Sequence, residues 1–208
     1  MSLTIADFAP ENKETGVGLV LQDEDKRYIF FIAGKRHHCP PGEIFYAGIG
    51  GHREHGESWM ECAQREALEE VGVGVEIISS DLTWHIPSGG VGQKVEVPDL
   101  PRPYAFYEMI HPPGTPREGC LYRIVIYKAR LLALPKRLQR EEVSGIIALT
   151  KDQVICGPEH KPTLRELIQQ GATVLAGKEG LDQEIRLSPL GTADALAKIL
   201  LFEEETLK

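Results

Sequence analysis

The segment Ser58–Val71 constrains the chain most, because it carries the strongest helix signal in the sequence. Met60, Ala63, Ala67 and Val71 recur at intervals of three and four, the spacing that lines one face of a 3.6-residue helix. Glu57 and Ser58 suit its first turn, where acids and a hydroxyl answer unpaired amides, and Gly72 closes its C-terminal side. On the same helix Glu66, Glu69 and Glu70 stand three and four apart, within a roughly 100° arc. At ~7 Å separation and an effective dielectric near ~20, each pair repels by about 2 kcal/mol. The cluster needs a counter-charge, and a hard divalent cation with oxygen ligands, Mg²⁺ or Mn²⁺, is the natural one. A solvated charged face is the ordinary explanation of a Glu-rich helix, so the residues around it must decide.

The flanking sequence reads mostly as strands. Gly16–Gln22 and Tyr28–Ala33 are apolar runs joined by the polar Asp23–Lys26, a hairpin pattern. A Pro/Gly loop over Lys35–Gly42 leads to a predicted strand at Ile44–Ile49, ended by Gly50-Gly51. Val75–Ile86 reads as one strand or two, and Pro87–Pro103 as an irregular excursion or long hairpin tip. Tyr104–Ile110 and Leu121–Leu132 are predicted strands separated by the loop His111–Pro116, and Val143–Leu149 adds another. After Thr150 the texture changes: Thr163–Gln170 and Thr192–Phe202 have helical spacing, divided by Ser188–Gly191. Strands, one helix, more strands and then helices imply an α+β or α/β/α layered architecture rather than a doubly wound parallel sheet.

The spacing around the acids is Gly51-x5-Glu57-x7-Arg65-Glu66-Ala67-x-Glu69-Glu70-x-Gly72-Val73. At background residue frequencies such a pattern arises by chance with probability on the order of one in a million or less per chain. It resembles the Nudix box of the MutT-like pyrophosphohydrolases at every defining position, with Ala67 and Val73 in the two apolar places. The resemblance implies an α+β fold, a Nudix-type α/β/α sandwich with a mixed sheet, over about residues 14–155, so residues 1–155 are expected to form the Nudix hydrolase domain. Residues 156–208 would be a C-terminal helical extension packed on the same domain.

The resemblance also implies a reaction, attack of water on phosphorus in the diphosphate of a nucleoside diphosphate linked to another moiety. Glu66, Glu69 and Glu70 would be metal ligands, joined by the Gly50 carbonyl and supported by Glu57. Arg65 would orient Glu66 through a charge-assisted hydrogen bond. Family members often place the general base outside the box. Glu141 and Glu142 occupy a region where it commonly falls, with Glu118 in reserve. The alternative is a non-catalytic module that binds a nucleotide derivative, a loss that ought to leave damaged acids in the box. The box touches only the shared diphosphate, so selectivity is expected from Pro87–Pro116. ADP-ribose or nucleotide-sugar-like substrates are preferred because the chain exceeds the smallest triphosphatase-sized members.

Other signals carry less. Adjacent residues in an extended segment point to opposite sides, which argues against a metal site at His37-His38-Cys39. His52 and His55 are expected as exposed loop residues that could approach substrate phosphates. Arg36, Arg53 and Arg117 are expected mainly as surface charge, and Tyr104, Phe106, Tyr107 and Tyr122 as core. The face formed by Leu196, Ile199 and Leu200 is expected to dock on the body or on a second copy of the chain. The net charge is −8, with no Lys/Arg stripe to hold a nucleic-acid partner. Four separated cysteines, no signal peptide and no long apolar run predict reduced thiols, a cytoplasmic location and no membrane contact.

Overall fold

Two parallel strands at the centre set the layers. In the computed structural model, which describes residues 2–206 apart from His38, Gly114, Pro116, Leu134, Lys136 and Arg137, β1 (Thr15–Gln22) lies beside β9 (Leu121–Leu131). Their register runs from Thr15↔Arg123 to Leu21↔Ala129. Val17, Leu19 and Leu21 of β1 pack with Val125, Tyr127 and Ala129 of β9 in one core cluster. Val20, Ile124 and Ile126 belong to the other. This is the two-residue period of extended backbone, and because both faces are apolar, both must be covered.

On one side of the central pair lie β2 (Tyr28–Ala33), β10 (Val143–Leu149) and β11 (Thr173–Ala176). On the other lie β8 (Ala105–Ile110), β6 (Thr83–Ile86) and β7 (Gln93–Val95). The order is β11-β10-β2-β1-β9-β8-β6-β7. Four shorter strands pair onto this path: β3 (Glu43–Ala47), β4 (Gly50–His52), β5 (Val75–Ile78) and β12 (Arg186–Pro189). Parallel pairs at β1/β9, β6/β8 and β3/β12 among antiparallel ones make the sheet mixed.

One face is covered by α2 (Trp59–Val71), whose Cys62, Ala63, Ala67 and Val71 pack with Leu19, Phe106 and Val125. The short α1 (Ile5–Phe8) joins that layer, with Phe8 stacked on Phe106 at 4.6 Å. The other face takes α3 (Lys151–His160), α4 (Leu164–Gln169) and α5 (Thr192–Thr206). Leu196, Ile199 and Leu200 of α5 are buried with Trp84, Tyr107 and Ile124, so this face docks on the body of the chain. The result is the α/β/α sandwich. Among the described residues, no helix is long and apolar enough to cross a membrane.

Three details differ from the expectation. The strand placed at Ile44–Ile49 ends at Ala47, and the chain re-enters the sheet as β4, antiparallel to β1 with Gly18↔Gly50 and Gly16↔His52 paired. A Cβ at Gly48 or Gly50 would collide with the backbone of β1, so the glycines that mark a strand end in sequence are what let β4 approach. The expected boundary at 155/156 falls inside α3, whose Gly157 and Pro158 argue against a helix in sequence. The residues after it are not only helical: β11 pairs with β10 and β12 with β3. Of that segment, Leu207 and Lys208 lie outside the described residues, as does His38 of the histidine pair.

Candidate active site

Capping fixes where α2 starts and therefore which way its acids face. Ser58 is the N-cap: it and Glu61 form a reciprocal capping box, while Gly72 ends the helix in the left-handed region at φ 68°. Glu57 thus precedes the helix rather than sitting in its first turn. The apolar side of α2 is spent on the core, and the acids turn toward β4 and solvent. Gly51 in β4 has no room for a Cβ, because the Glu66 carboxylate occupies that space. The Gly50 amide offsets some of the charge on Glu70.

Arg65 organises the cluster. Its Nε and Nη2 hold the two oxygens of Glu57 at 2.8 and 3.0 Å, a bidentate fork. Its Nη1 reaches Glu66 Oε1 at 2.7 Å and Glu69 Oε2 at 3.2 Å, and its Nη2 also donates to the His52 carbonyl at 2.9 Å. The Arg65 hydrogen bonds outweigh burial and hold Glu57 down to about 2, and Glu57 in turn raises Arg65. Glu66 goes the opposite way, raised by burial first and then by Glu69 and Glu57 against the pull of Arg65. Glu70 is raised furthest, by burial and then by Glu66, with Glu142 and Glu69 adding to it. Its Oε2 is buried with no hydrogen-bond partner among the described residues. Glu69 is 59 % exposed and completes the open side.

Glu141 and Glu142 stand at the start of β10, where that strand meets the end of β2. Glu142 is ion-paired with Arg36, has His37 Nε2 at 3.8 Å, and lies within electrostatic reach of Glu70. The Glu141 side chain is exposed, while its carbonyl accepts from the Arg36 amide. Glu118 is exposed in the hairpin between β8 and β9. The arginines expected as plain surface charge all have work: Arg36 holds Glu142, Arg53 lies over the Trp59 ring at 4.7 Å, and Arg117 pairs with Glu14. The four core aromatics are buried as expected.

One group of residues was missed by sequence reasoning. His52 is not a free loop residue. Its carbonyl serves Arg65, and its ring stacks on Tyr122 at 4.6 Å while Nε2 meets Glu14 Oε1 at 2.7 Å. His111 Nε2 meets the same oxygen at 3.1 Å. Burial raises Glu14, but hydrogen bonds from His52, Arg117 and His111 outweigh it and bring the carboxyl to about 2. His55 is exposed, as expected.

A family model described as the NUDIX domain matches residues 12–170, well over half of the chain. Among solved structures, the chain is similar to a NUDIX hydrolase from Nitrosomonas europaea at 19% identity and TM-score 0.46, over 68% of this chain and 75% of that one. It is also similar to a MutT protein from Methanosarcina mazei Go1, at 14% identity and TM-score 0.46 over 76% and 88% of the two chains. A UDP-X diphosphatase matches at 11% identity and TM-score 0.46, over 93% of this chain and 64% of its own. A comparison with curated proteins finds no match. On the strength of the domain match, over a stretch that contains the whole acidic helix and the strands that hold it, the chain belongs to the Nudix family and is a Nudix pyrophosphohydrolase.

Proposed function

We propose that the site hydrolyses the diphosphate linkage of a nucleoside diphosphate derivative by attack of water on phosphorus, with Mg²⁺ or Mn²⁺ as cofactor. The observation that carries the metal is the buried Oε2 of Glu70 beside Glu66, an oxygen that has no hydrogen-bond partner among the described residues. Two carboxylates set together against burial make a hard-oxygen donor set that fits a divalent cation. Glu66, Glu69 and Glu70 would hold it, with the Gly50 carbonyl beside them. Bound there, the cation supplies charge neutralisation on the phosphate oxygens and a more acidic attacking water.

The remaining roles belong to the chain itself. Arg65 orients Glu66 and Glu69, and Glu57 is the anchor that fixes the Arg65 fork, with the same metal cluster as its indirect beneficiary. For the general base, the proximity of Glu142 to Glu70 favours it over the exposed Glu141. Glu142→Gln is expected to lower turnover by about 10²-fold, with Glu141→Gln close to wild type; equal effects would remove this assignment.

The proposed substrates are ADP-ribose or nucleotide-sugar-like compounds, with Pro87–Pro116 selecting among them. Residues 1–155 would form the hydrolase domain, with 156–208 integrated into its sheet and second helical layer. Four free cysteines support a reducing, cytoplasmic setting. The test is a panel of diphosphate compounds incubated with Mg²⁺ or Mn²⁺ in ¹⁸O-water. Release of a nucleoside monophosphate, with the label on one identified phosphorus, is the expected result. Tight ligand binding with no turnover across the panel would instead make the chain a binding module.

A further inference from the structure

We propose that Glu14, His52 and His111 form a second cation site beside the acidic helix, suited to a borderline transition metal such as Zn²⁺. Three parts of the sheet supply it: the residue before β1, the last residue of β4 and the residue after β8. Both imidazole Nε2 atoms converge on a single oxygen, Glu14 Oε1, at 2.7 and 3.1 Å. The three donor atoms lie within 4.8 Å of one another.

The sheet register explains the convergence. Gly16 pairs with His52, and a Cβ on Gly16 would strike the Tyr122 hydroxyl. The bare glycine lets His52 and Tyr122 stack across it, and His111 stacks on the same tyrosine at 5.3 Å. The two imidazole planes are 1° from parallel. Tyr122 thereby holds both rings before any ligand arrives. Its own hydroxyl is buried without a partner among the described residues, within electrostatic reach of both Glu14 and Glu66.

The rival explanation is a hydrogen-bonded cluster centred on Glu14, with Arg117 as its third donor. That arrangement puts His52, His111 and Arg117 all on Oε1, whereas a carboxylate oxygen offers two lone pairs. Arg117 is 53 % exposed and is the member free to swing away. Without it the site offers one carboxylate oxygen and two imidazole nitrogens, the donor set of zinc sites with three protein ligands that leave the fourth position to water. Half-exposed His52 leaves that position accessible to solvent. Two nitrogens and one oxygen also differ from the all-oxygen set on α2, so the two sites should select different cations.

The test is a Co²⁺ titration of the full chain in excess Mg²⁺, followed by visible absorbance and Zn²⁺ displacement. One equivalent with the absorbance of a low-coordinate nitrogen-ligated ion is expected. His111→Ala should weaken affinity beyond the 10- to 100-fold that loss of an outer partner costs. Arg117→Ala should tighten it, and Glu70→Gln should leave it unchanged. His52→Ala, at a half-exposed position, serves if His111→Ala does not fold. Absence of nitrogen-ligated absorbance, or Co²⁺ binding lost with Glu70→Gln but kept in the histidine variants, would overturn the proposal and leave a hydrogen-bonded cluster.

Discussion

At the seam of β3 and β12, Glu43 receives the Ser188 hydroxyl at 2.6 Å and the Lys161 ammonium at 3.0 Å. On α2, Glu70 is buried with an oxygen that has no hydrogen-bond partner among the described residues and with Glu66, Glu142 and Glu69 pressing on it. The first carboxyl is lowered by Ser188 and Lys161, and the second is raised by burial. The first pairing ties the C-terminal segment to the sheet and favours folding. The second opposes folding, because a carboxylate with a raised pKa is disfavoured in its ionised form at neutral pH. The proposed metal site thus lies where the fold gives up stability.

The largest expected effect comes from relieving that opposition. Glu70→Gln keeps the shape and removes the charge, so turnover should fall by ~10²–10³-fold or more, while the metal-free protein should become more stable by a few °C. Steady-state hydrolysis and a thermal scan in chelator read the two together. A variant that loses activity and stability alike would mean that Glu70 is structural. In the same scan, Mg²⁺ at about 100 times its Kd should stabilise the wild type by ~2.7 kcal/mol, roughly 5–10 °C. Glu70→Gln should lose most of that gain, and an equal shift in both proteins would place the cation elsewhere.

Next in size is the hub. Arg65→Lys keeps a positive charge but cannot make the fork that grips both oxygens of Glu57 while reaching Glu66. A fall in kcat of about 10–100-fold with KM little changed is expected. A change confined to KM would show that Arg65 contacts substrate instead of positioning carboxylates.

How much of this was legible in sequence depended on distance along the chain. The helix and its stop at Gly72 follow from local chemistry, and the acids follow from helical spacing, whereas Ser58 caps the helix and Glu57 precedes it rather than both sitting in its first turn. The order of apolar strands and helices predicted the layered architecture, and both faces of the sheet are covered. Adjacency in sequence links Arg65 to Glu66, but its two-bond fork on Glu57 comes from the loop folding back before the helix. The Glu14 cluster had no local signal, because its histidines stand 38 and 97 residues from the glutamate and only sheet register unites them. Helix α3 was hidden by Gly157 and Pro158, although the glycine is required there: a Cβ would strike the Tyr46 hydroxyl. Tertiary packing overrode propensity.

The smallest effect concerns the paired carboxylate. Glu43→Gln removes the ion pair with Lys161, which is 45 % exposed, and weakens the bond from Ser188; about 1 kcal/mol of stability should be lost at neutral pH. Because the folded pKa of Glu43 lies below its ordinary value, its contribution is present above the unfolded carboxylate pKa and is lost as pH falls through the folded one. The gap between wild type and Glu43→Gln in urea midpoints should therefore close on acidification, with hydrolysis at neutral pH unaffected. A gap that persisted in acid would mean that the seam is held by shape and not by charge, and the contrast with Glu70 would then reduce to burial alone.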